Sequence, residues 1–405
     1  MLNQIDAYIG LFSCDLLLCH LLNPLNLAYR SGMSIETEYL NFDTIGQSGS
    51  RTGSRTSSRT GQITLNRPKA LHALTTTMCH QIRDKLEQYW HDDTIDQVIL
   101  CASEGRAFCA GGDIREALES MQRKSPETLD YFEAEYAMDM IIAGFPKPLI
   151  CIADGLTMGG GSGLLFNSSH PVITDRIDFT MPETGIGLFP DVAASLFLRR
   201  ATGRIGLFIG LTGTRIGHGD MVASGLMDYF IPHEMITELK AAIAALAPIA
   251  ARPEQENIDD LLSAFARRDA EPMLLMPHLD WINDILAHDR LEAIRDAAAA
   301  SDHSLAAPLY QALTQRCPLS LKVTHRLLTS APSDGYISAL LLDYCLAKRI
   351  TEYPDFAEGV RAAVIDKDQN PQWSHQCLED VTDEMIDDIF DDSNRPHFAL
   401  PSVLL

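Results

Sequence analysis

The sequence predicts an α/β fold: a mostly parallel, helix-covered sheet followed by a helical C-terminal region. Three observations predict it. Between Gln62 and Asp191, short β-rich apolar runs alternate with amphipathic helical stretches, the pattern of parallel strands joined by covering helices. From Val192 onward helical patterns and polar links take over and continue to about Ala363. The 405 residues are 46% apolar and 21% charged, which is ordinary globular composition and enough length for two or three domains.

The elements follow in order. Residues 1–32 hold an apolar run, Ile9 to Leu22, interrupted by Asp15 and His20. It is shorter than the ~20 residues of a membrane span. No Lys or Arg precedes it, as a secretory signal requires, and no Arg-rich transit peptide is visible. Residues 1–32 are therefore read as an extension outside the core, with a short amphipathic appendage as the alternative, 33–230 as the α/β core and 231–395 as the helical region. Within the core, 47–61 (QSGSRTGSRTSSRTG) is a Ser/Gly/Arg/Thr repeat without a large apolar residue, read as a mobile loop or hairpin tip. Gln62 to Leu65 reads as a strand end stopped by Asn66-Arg67-Pro68. Thr75 to Tyr89 reads as a helix with Met78, Ile82, Leu86 and Tyr89 on one face. Gln97 to Cys101 and Pro148 to Ala153 read as buried strands, with a helix over 126–142 between them. Further strand structure is expected from Phe166 to Phe179. Residues 379–392 carry eight acids and no Lys or Arg, with Val381, Met385, Ile386, Ile389 and Phe390 at helical spacing, which describes a short acidic helix packed by one face.

Charge and cysteine usage exclude whole classes of function. The chain has 32 Lys plus Arg against 55 Asp plus Glu, a formal net charge of −23. Such a field repels phosphate backbones, so no nucleic-acid partner is expected. The nine cysteines form no CxxC pair and are odd in number, which fits reduced thiols rather than a disulfide framework or a zinc ribbon. No His/Cys/carboxylate cluster has metal-ligand spacing, so no metal is expected.

Three segments can carry chemistry. Arg106 to Arg115 (RAFCAGGDIR) follows a predicted strand, and its two glycines allow a tight turn and close backbone approach to a ligand. The same residues also suit an ordinary strand-to-helix turn capped by Asp113. Asp154 to Leu165 (DGLTMGGGSGLL) reads as a glycine-rich loop feeding a helix whose first amides lack internal partners. It matches neither a P-loop nor a clean dinucleotide fingerprint. An amide pair stabilising an oxyanion fits both glycine segments better. Met181 to Val192 (MPETGIGLFPDV) places Glu183 and Asp191 directly after prolines, which block a continuous helix and leave both acids on a shaped loop. Apolar neighbours suggest partial burial, which raises a carboxyl's pKa as a general base needs.

Together with LNRPKALHAL (Leu65–Leu74), the segments AFCAGGDI, DGLTMGGGSGL and MPETGIGLFPDV resemble the crotonase, or enoyl-CoA hydratase/isomerase, superfamily. Within it the chain is most similar to the 3-hydroxyisobutyryl-CoA hydrolase group, through AFCAGGDIR, Glu135-Tyr136, TMGGGSG and MPET…GLFPDV. LTGTRIGHGDMVASGL, RCPLSLKVTHR and DFAEGVRAAVIDKDQNPQW resemble that group's C-terminal extension. The resemblance runs from about Gln62 to Phe390. It implies a spiral of ββα units followed by helices, and a thioesterase acting on 3-hydroxyisobutyryl-CoA in valine breakdown. Gly112 and Gly160 would supply the oxyanion amides. Glu183 and Asp191 would be catalytic, and both would bind substrate together with Glu135 and Gly160. Lys69, Ala70, Leu71, Ala110, Asp113 and Ile114 would contact CoA. CoA belongs to the substrate, and no further cofactor, no membrane and a homo-oligomer as the one protein partner are implied. The compartment would be bacterial cytoplasm or a eukaryotic mitochondrial matrix.

The hydratases of this superfamily use two glutamates. The first falls at Gly163, which has no side chain, and the second at Glu183, so hydration is disfavoured. A hydratase or isomerase of the same fold and a catalytically silent CoA-binding protein are the competing readings. The chain also departs from the pattern. His72 stands where Asn is common, with a surface position as one reading. Val192-Ala193-Ala194 stands where a glycine-rich run is usual. Cys109 lies beside the first glycine pair, and the resemblance makes it a small packing residue.

Overall fold

The chain is described from a computed structural model, which covers residues 38–46, 59–122, 130–248, 257–268, 271–330, 334–391 and 398–404. The expected 1–32 extension and residues 47–58 of the Ser/Arg/Thr loop lie outside them. The strands are β1 (Leu40–Ile45), β2 (Thr60–Leu65), β3 (Gln97–Ala102), β4 (Ala107–Cys109), β5 (Leu149–Ala153), β6 (Leu156–Met158), β7 (His170–Ile173), β8 (Asp178–Thr180) and β9 (Tyr229–Phe230).

Two sheets result. The larger runs β1-β2-β3-β5-β7-β9 and the smaller β4-β6-β8. Only β1 against β2 is antiparallel. Consecutive strands β3/β4, β5/β6 and β7/β8 give one member to each sheet, so the chain climbs as a spiral of repeated units. Side chains alternate across the larger sheet. Val98 and Leu100 join the main core, while Ile99, Cys101, Ile150 and Ile152 face a second apolar layer. Burial on both faces is why these strands read as continuous apolar runs.

Helices follow the expected pattern with shifted ends. They are α1 (Thr76–His91), α2 (Ile114–Gln122), α3 (Asp130–Gly144), α4 (Gly160–Phe166), α5 (Ala194–Arg200), α6 (Ile205–Thr212) and α7 (His218–Ala223). Beyond β9 come α8 (Ile236–Ala245), α9 (Ile258–Phe265), α10 (Leu279–Ile285), α11 (Leu291–Ala299) and α12 (Ala306–Gln315). The last are α13 (Pro318–Ser330), α14 (Tyr336–Ile350), α15 (Asp355–Val360) and α16 (Asp383–Phe390). In α1, Met78, Ile82, Leu86 and Tyr89 are buried as their spacing requires, and the Thr75 hydroxyl caps the start by accepting the Met78 N–H. Leu239, Ile243, Ile258 and Leu262 of α8 and α9 cover the second face of the larger sheet. The acidic segment forms α16, with Ile386 and Ile389 buried.

Two expected boundaries move. β2 begins at Thr60, inside the stretch read as loop. Gly61 makes this possible, because a Cβ there would lie 2.6 Å from the Tyr89 ring. Of the helix expected over 126–142, Asp130–Gly144 is described, and 126–129 lie outside the described residues. Phe166 closes a helix, and strand structure begins only at His170.

Candidate active site

Two neighbouring strands deliver the glycine turns side by side. β4 and β6 are parallel neighbours, and each runs into a left-handed glycine, Gly111 at φ +89° and Gly159 at φ +51°. Leu74 bridges to Gly112: its N–H donates to Gly111 O (2.8 Å), and its carbonyl accepts from Asp113 N–H (2.7 Å). In that pairing Gly112's own N–H points off the opposite edge. Gly160 opens α4, so its N–H has no intrahelical acceptor. A Cβ on Gly111 would lie 3.5 Å from Gly160 N, which puts the two turns back to back.

Helix α3 lays polar side chains along these turns. Tyr131, Glu135 and Asp139 are four residues apart and share one face. Tyr131 Oη fills the space a Gly112 side chain would need, and Glu135 Oε1 does the same at Gly160. The Tyr131 hydroxyl donates to Glu135 Oε1 (2.7 Å). At Gly163 a Cβ would meet Asp139 Oδ2 at 2.6 Å and Val192 Cβ at 3.0 Å. The position that carries the first glutamate in hydratases is thus occupied from α3, by a different carboxyl.

The third segment folds around its prolines as a short 3-10 turn, Glu183–Gly185. Glu183 is 4% exposed, and its Oε1 lies against the second glycine turn, 3.3 Å from where a Gly159 Cβ would stand. Its Oε2 has no hydrogen-bond partner among the described residues. The helical region clamps this turn from behind. Arg316 Nη1 donates to Pro182 O (3.2 Å) and Thr184 Oγ1 (2.9 Å), and Cys317 N–H donates to Thr184 O (3.1 Å). Asp191, also 4% exposed, accepts from the Tyr136 hydroxyl at Oδ2 (2.7 Å). Of the expected residues, Gly112, Gly160, Glu135 and Glu183 are brought together directly. Asp191 joins them through Tyr136 of α3.

Four of these carboxyls, Glu135, Asp139, Glu183 and Asp191, are buried, as is a fifth, Asp343 of α14, which accepts the Ala193 N–H two residues past Asp191. Burial raises the proton affinity of every one. The Asp191 charge raises Glu135 and Glu183 further. Asp191 is relieved by the Tyr136 hydroxyl, and Glu183 by the Arg316 guanidinium. Activity and stability then respond to pH in opposite directions. A Glu183 carboxylate forms only above the ordinary carboxylate range, so kcat/KM of any reaction using it as base or nucleophile rises with pH towards alkaline values. Arg316→Met moves that limb to still higher pH, and each pH unit it moves lowers the neutral-pH rate about tenfold. Arg316→Lys moves it less. A wild-type profile that is flat down to about pH 5 would contradict this.

For stability the folded carboxyl pKa values lie above the unfolded ones. Between the two, the folded state binds more protons, and stability is lost as pH rises through that window. The melting temperature of the free protein should fall from about pH 7 to about pH 8, above the range in which the depressed histidines His72, His80, His170, His303 and His325 add stability as pH rises, read by thermal unfolding.

The residues expected to contact CoA also converge. Pro68–Ala70 forms a 3-10 turn, and Leu71 O accepts from Ala110 N–H (3.0 Å), so 69–71 runs alongside 110–114. Asp113 pairs with Arg67 (2.9 Å). His72 is not a surface residue. It is 1% exposed at φ +57°, with Nδ1 accepting the Arg67 N–H (3.0 Å). Its ring closes a turn that Asn would close in the same way. Cys109 is buried, and burial pushes its thiol up to about 12, so it packs rather than attacks. An open cleft of about 950 Å³ lies elsewhere, lined by Arg204, His288, Lys322, His325 and Asp387. It contains none of the five acids, and its Lys322 is paired with Glu292 (2.6 Å).

A spiral of two-sheet units, with paired glycine amides facing a buried glutamate, defines a class, and the comparisons agree. Residues 60–390 match the model of the enoyl-CoA hydratase/isomerase family, and the chain belongs to that family. Its relatives include 3-hydroxyisobutyryl-CoA hydrolase, mitochondrial, from Xenopus laevis, 36% identical over 334 residues (82% of this chain and 86% of that one). The Bos taurus protein of the same name is 34% identical over 377 residues, covering 92% and 96%. Similar solved structures include an enoyl-CoA hydratase from Rhodobacter sphaeroides 2.4.1 (TM-score 0.71, 36% identity, 83% of this chain and 96% of that one). A carnitinyl-CoA dehydratase from Mycobacterium thermoresistibile aligns with TM-score 0.77 at 28% identity, covering 90% and 100%. The fold and family expected from the motifs are therefore borne out.

Sequence reasoning missed Tyr131, Asp139, Arg316 and Asp343. Asp139 and Asp343 had a signal, since each is an acid within an otherwise apolar stretch of helix (YAMDMII and LLLDYCLA). Arg316 opens the RCPLSLKVTHR segment, but nothing local marks it as reaching the Glu183 turn.

Proposed function

We propose that the protein hydrolyses the thioester 3-hydroxyisobutyryl-CoA to 3-hydroxyisobutyrate and CoA. The observation that carries this reading is Glu183, its Oε1 against the Gly159 turn and its Oε2 unpartnered, with Asp139 and Val192 closing the space at Gly163. The glutamate that hydration would use at position 163 is absent, and the carboxyl that fills its space is the buried Asp139 of α3. The names of the relatives support the same reaction.

The thioester oxygen accepts from the Gly112 and Gly160 N–H groups, which stabilise the charge developing on it. The Glu183 carboxylate then acts in one of two ways. It attacks the carbonyl carbon, so that a C–O bond forms, the C–S bond breaks with its electron pair leaving on sulfur, and water later cleaves the resulting anhydride. Alternatively it takes a proton from a water that attacks directly. Asp191 and Glu135 read the substrate hydroxyl. A buried site built to bond a hydroxyl rejects an analogue lacking it strongly, because its own groups stay unpaired. Residues 69–71 and 110–114 hold CoA, and no resident cofactor enters the chemistry. Its compartment would be the mitochondrial matrix in a eukaryotic cell, as the relatives' names indicate, and the cytoplasm in a bacterium.

The test is free-thiol release from 3-hydroxyisobutyryl-, 3-hydroxypropionyl-, isobutyryl- and crotonyl-CoA. Fast release confined to the hydroxylated pair is expected. Loss of the crotonyl enone absorbance without thiol release would replace the hydrolase reading by a hydratase.

A further inference from the structure

The turn that follows Asp191 is held in an unfavourable conformation. Val192 (φ +50°) and Ala193 (φ +67°) are consecutive left-handed residues, and neither is glycine. That conformation presses Cβ on a carbonyl oxygen, and for a β-branched residue it is a genuine outlier. Such backbone persists only where its surroundings over-determine it.

The surroundings are identifiable. Asp343, from α14 in the helical region, is 0% exposed, and its Oδ2 accepts the Ala193 N–H at 2.7 Å. Asn167, just past α4, reaches Val192 O with its Nδ2 at 3.5 Å. Ala194 N–H closes the turn on Asp191 O at 2.9 Å. On the other side Tyr136 grips the Asp191 carboxyl, and Tyr136 belongs to α3, against which α14 packs. Asp191 is thus gripped at both ends, its side chain by Tyr136 and its following backbone by Asp343.

A carboxyl is an unexpected residue for that place. Asp343 sits in an apolar helix run, forms no ion pair with Lys or Arg among the described residues, and leaves Oδ1 unpartnered. A position that served packing alone would be better filled by an apolar side chain of the same volume.

We propose that Asp343 is a positioning residue: it holds the left-handed Val192–Ala193 turn and so aims Asp191 at the hydroxyl of the acyl group. The proposal rests on the reading of Asp191 as a hydroxyl-reading group. It also assigns the helical region a part in specificity, through one hydrogen bond to the backbone next to the site.

The experiment measures kcat/KM for 3-hydroxyisobutyryl-CoA and isobutyryl-CoA, with thermal unfolding alongside, in four proteins. These are the wild type, Asp343→Asn, Asp343→Leu, and Asp343→Leu combined with Ala193→Gly. Asparagine can accept the same N–H, so Asp343→Asn should keep the wild-type preference for the hydroxylated substrate within about threefold. Leucine has the same branching and no acceptor, so the preference should fall about tenfold, with the isobutyryl rate falling less. Glycine adopts positive φ without support, so Ala193→Gly should recover part of the lost preference. A purely structural role would lower both substrates together and would show no recovery. Asp343→Ala gives the same reading should the leucine variant not fold. A discriminating wild type beside an equally discriminating Asp343→Leu overturns the proposal alone. A wild type with no preference overturns the reading of Asp191 and the proposal with it.

Discussion

Glu183→Gln should reduce thioester turnover by about 10²–10⁴-fold while leaving the fold intact. Glutamine keeps the size and shape of the side chain and removes only its ability to take a proton or form an acyl bond. The local environment already favours a neutral group here, since the carboxyl is 4% exposed and burial raises its proton affinity. A neutral amide at this place therefore costs little, and above neutral pH it should leave the melting temperature unchanged or higher. The separation matters: a variant that loses activity by unfolding loses both. Single-turnover thiol release with 3-hydroxyisobutyryl-CoA, recorded with a thermal melt, checks both halves. A change in rate below about threefold would remove Glu183 from the chemistry and favour the silent CoA-binding alternative.

The legible part of this molecule was what depends on local sequence chemistry. The Met78/Ile82/Leu86/Tyr89 spacing gives α1 directly, and the β-branched runs at 97–102 and 149–153 give strands buried on both faces. The glycine pairs and the proline-preceded acids were legible for the same reason, because turns and helix starts impose residue types at short range. What escaped was set by packing between distant segments. Gly61 lies in a strand only because Tyr89, 28 positions on, needs a flat neighbour. Arg316 reaches the Glu183 turn across more than 130 positions, and Asp343 reaches Ala193 across 150. Such contacts leave no periodicity and no motif. Asp139 is intermediate: four residues after Glu135 on one helix face, it was legible as a buried acid, but its filling of the space at Gly163 required the fold.

The second large effect concerns the backbone rather than a side chain, and it needs a control on the same helix. Gly160→Ala puts a Cβ where Glu135 Oε1 now sits, so the carboxyl must move off the Tyr131 hydroxyl that donates to it. Whatever part of the collision the carboxyl does not absorb shifts the turn, and the Gly160 N–H with it. Loss of one oxyanion donor costs about 10²–10³ in kcat. Gly163→Ala makes a comparable collision three residues later, with Asp139 Oδ2 at 2.6 Å and Val192 Cβ at 3.0 Å, and it displaces no amide assigned to the oxyanion. Both variants should lose melting temperature, since each forces a carboxyl of α3 to move. Only Gly160→Ala should lose rate by two orders of magnitude or more, because the amide counts most where charge develops in the transition state. Measuring kcat and the melting temperature for the two variants side by side therefore separates the amide from the clash. Equal losses of kcat would mean that crowding against α3 explains both, and that Gly160 donates nothing the reaction needs.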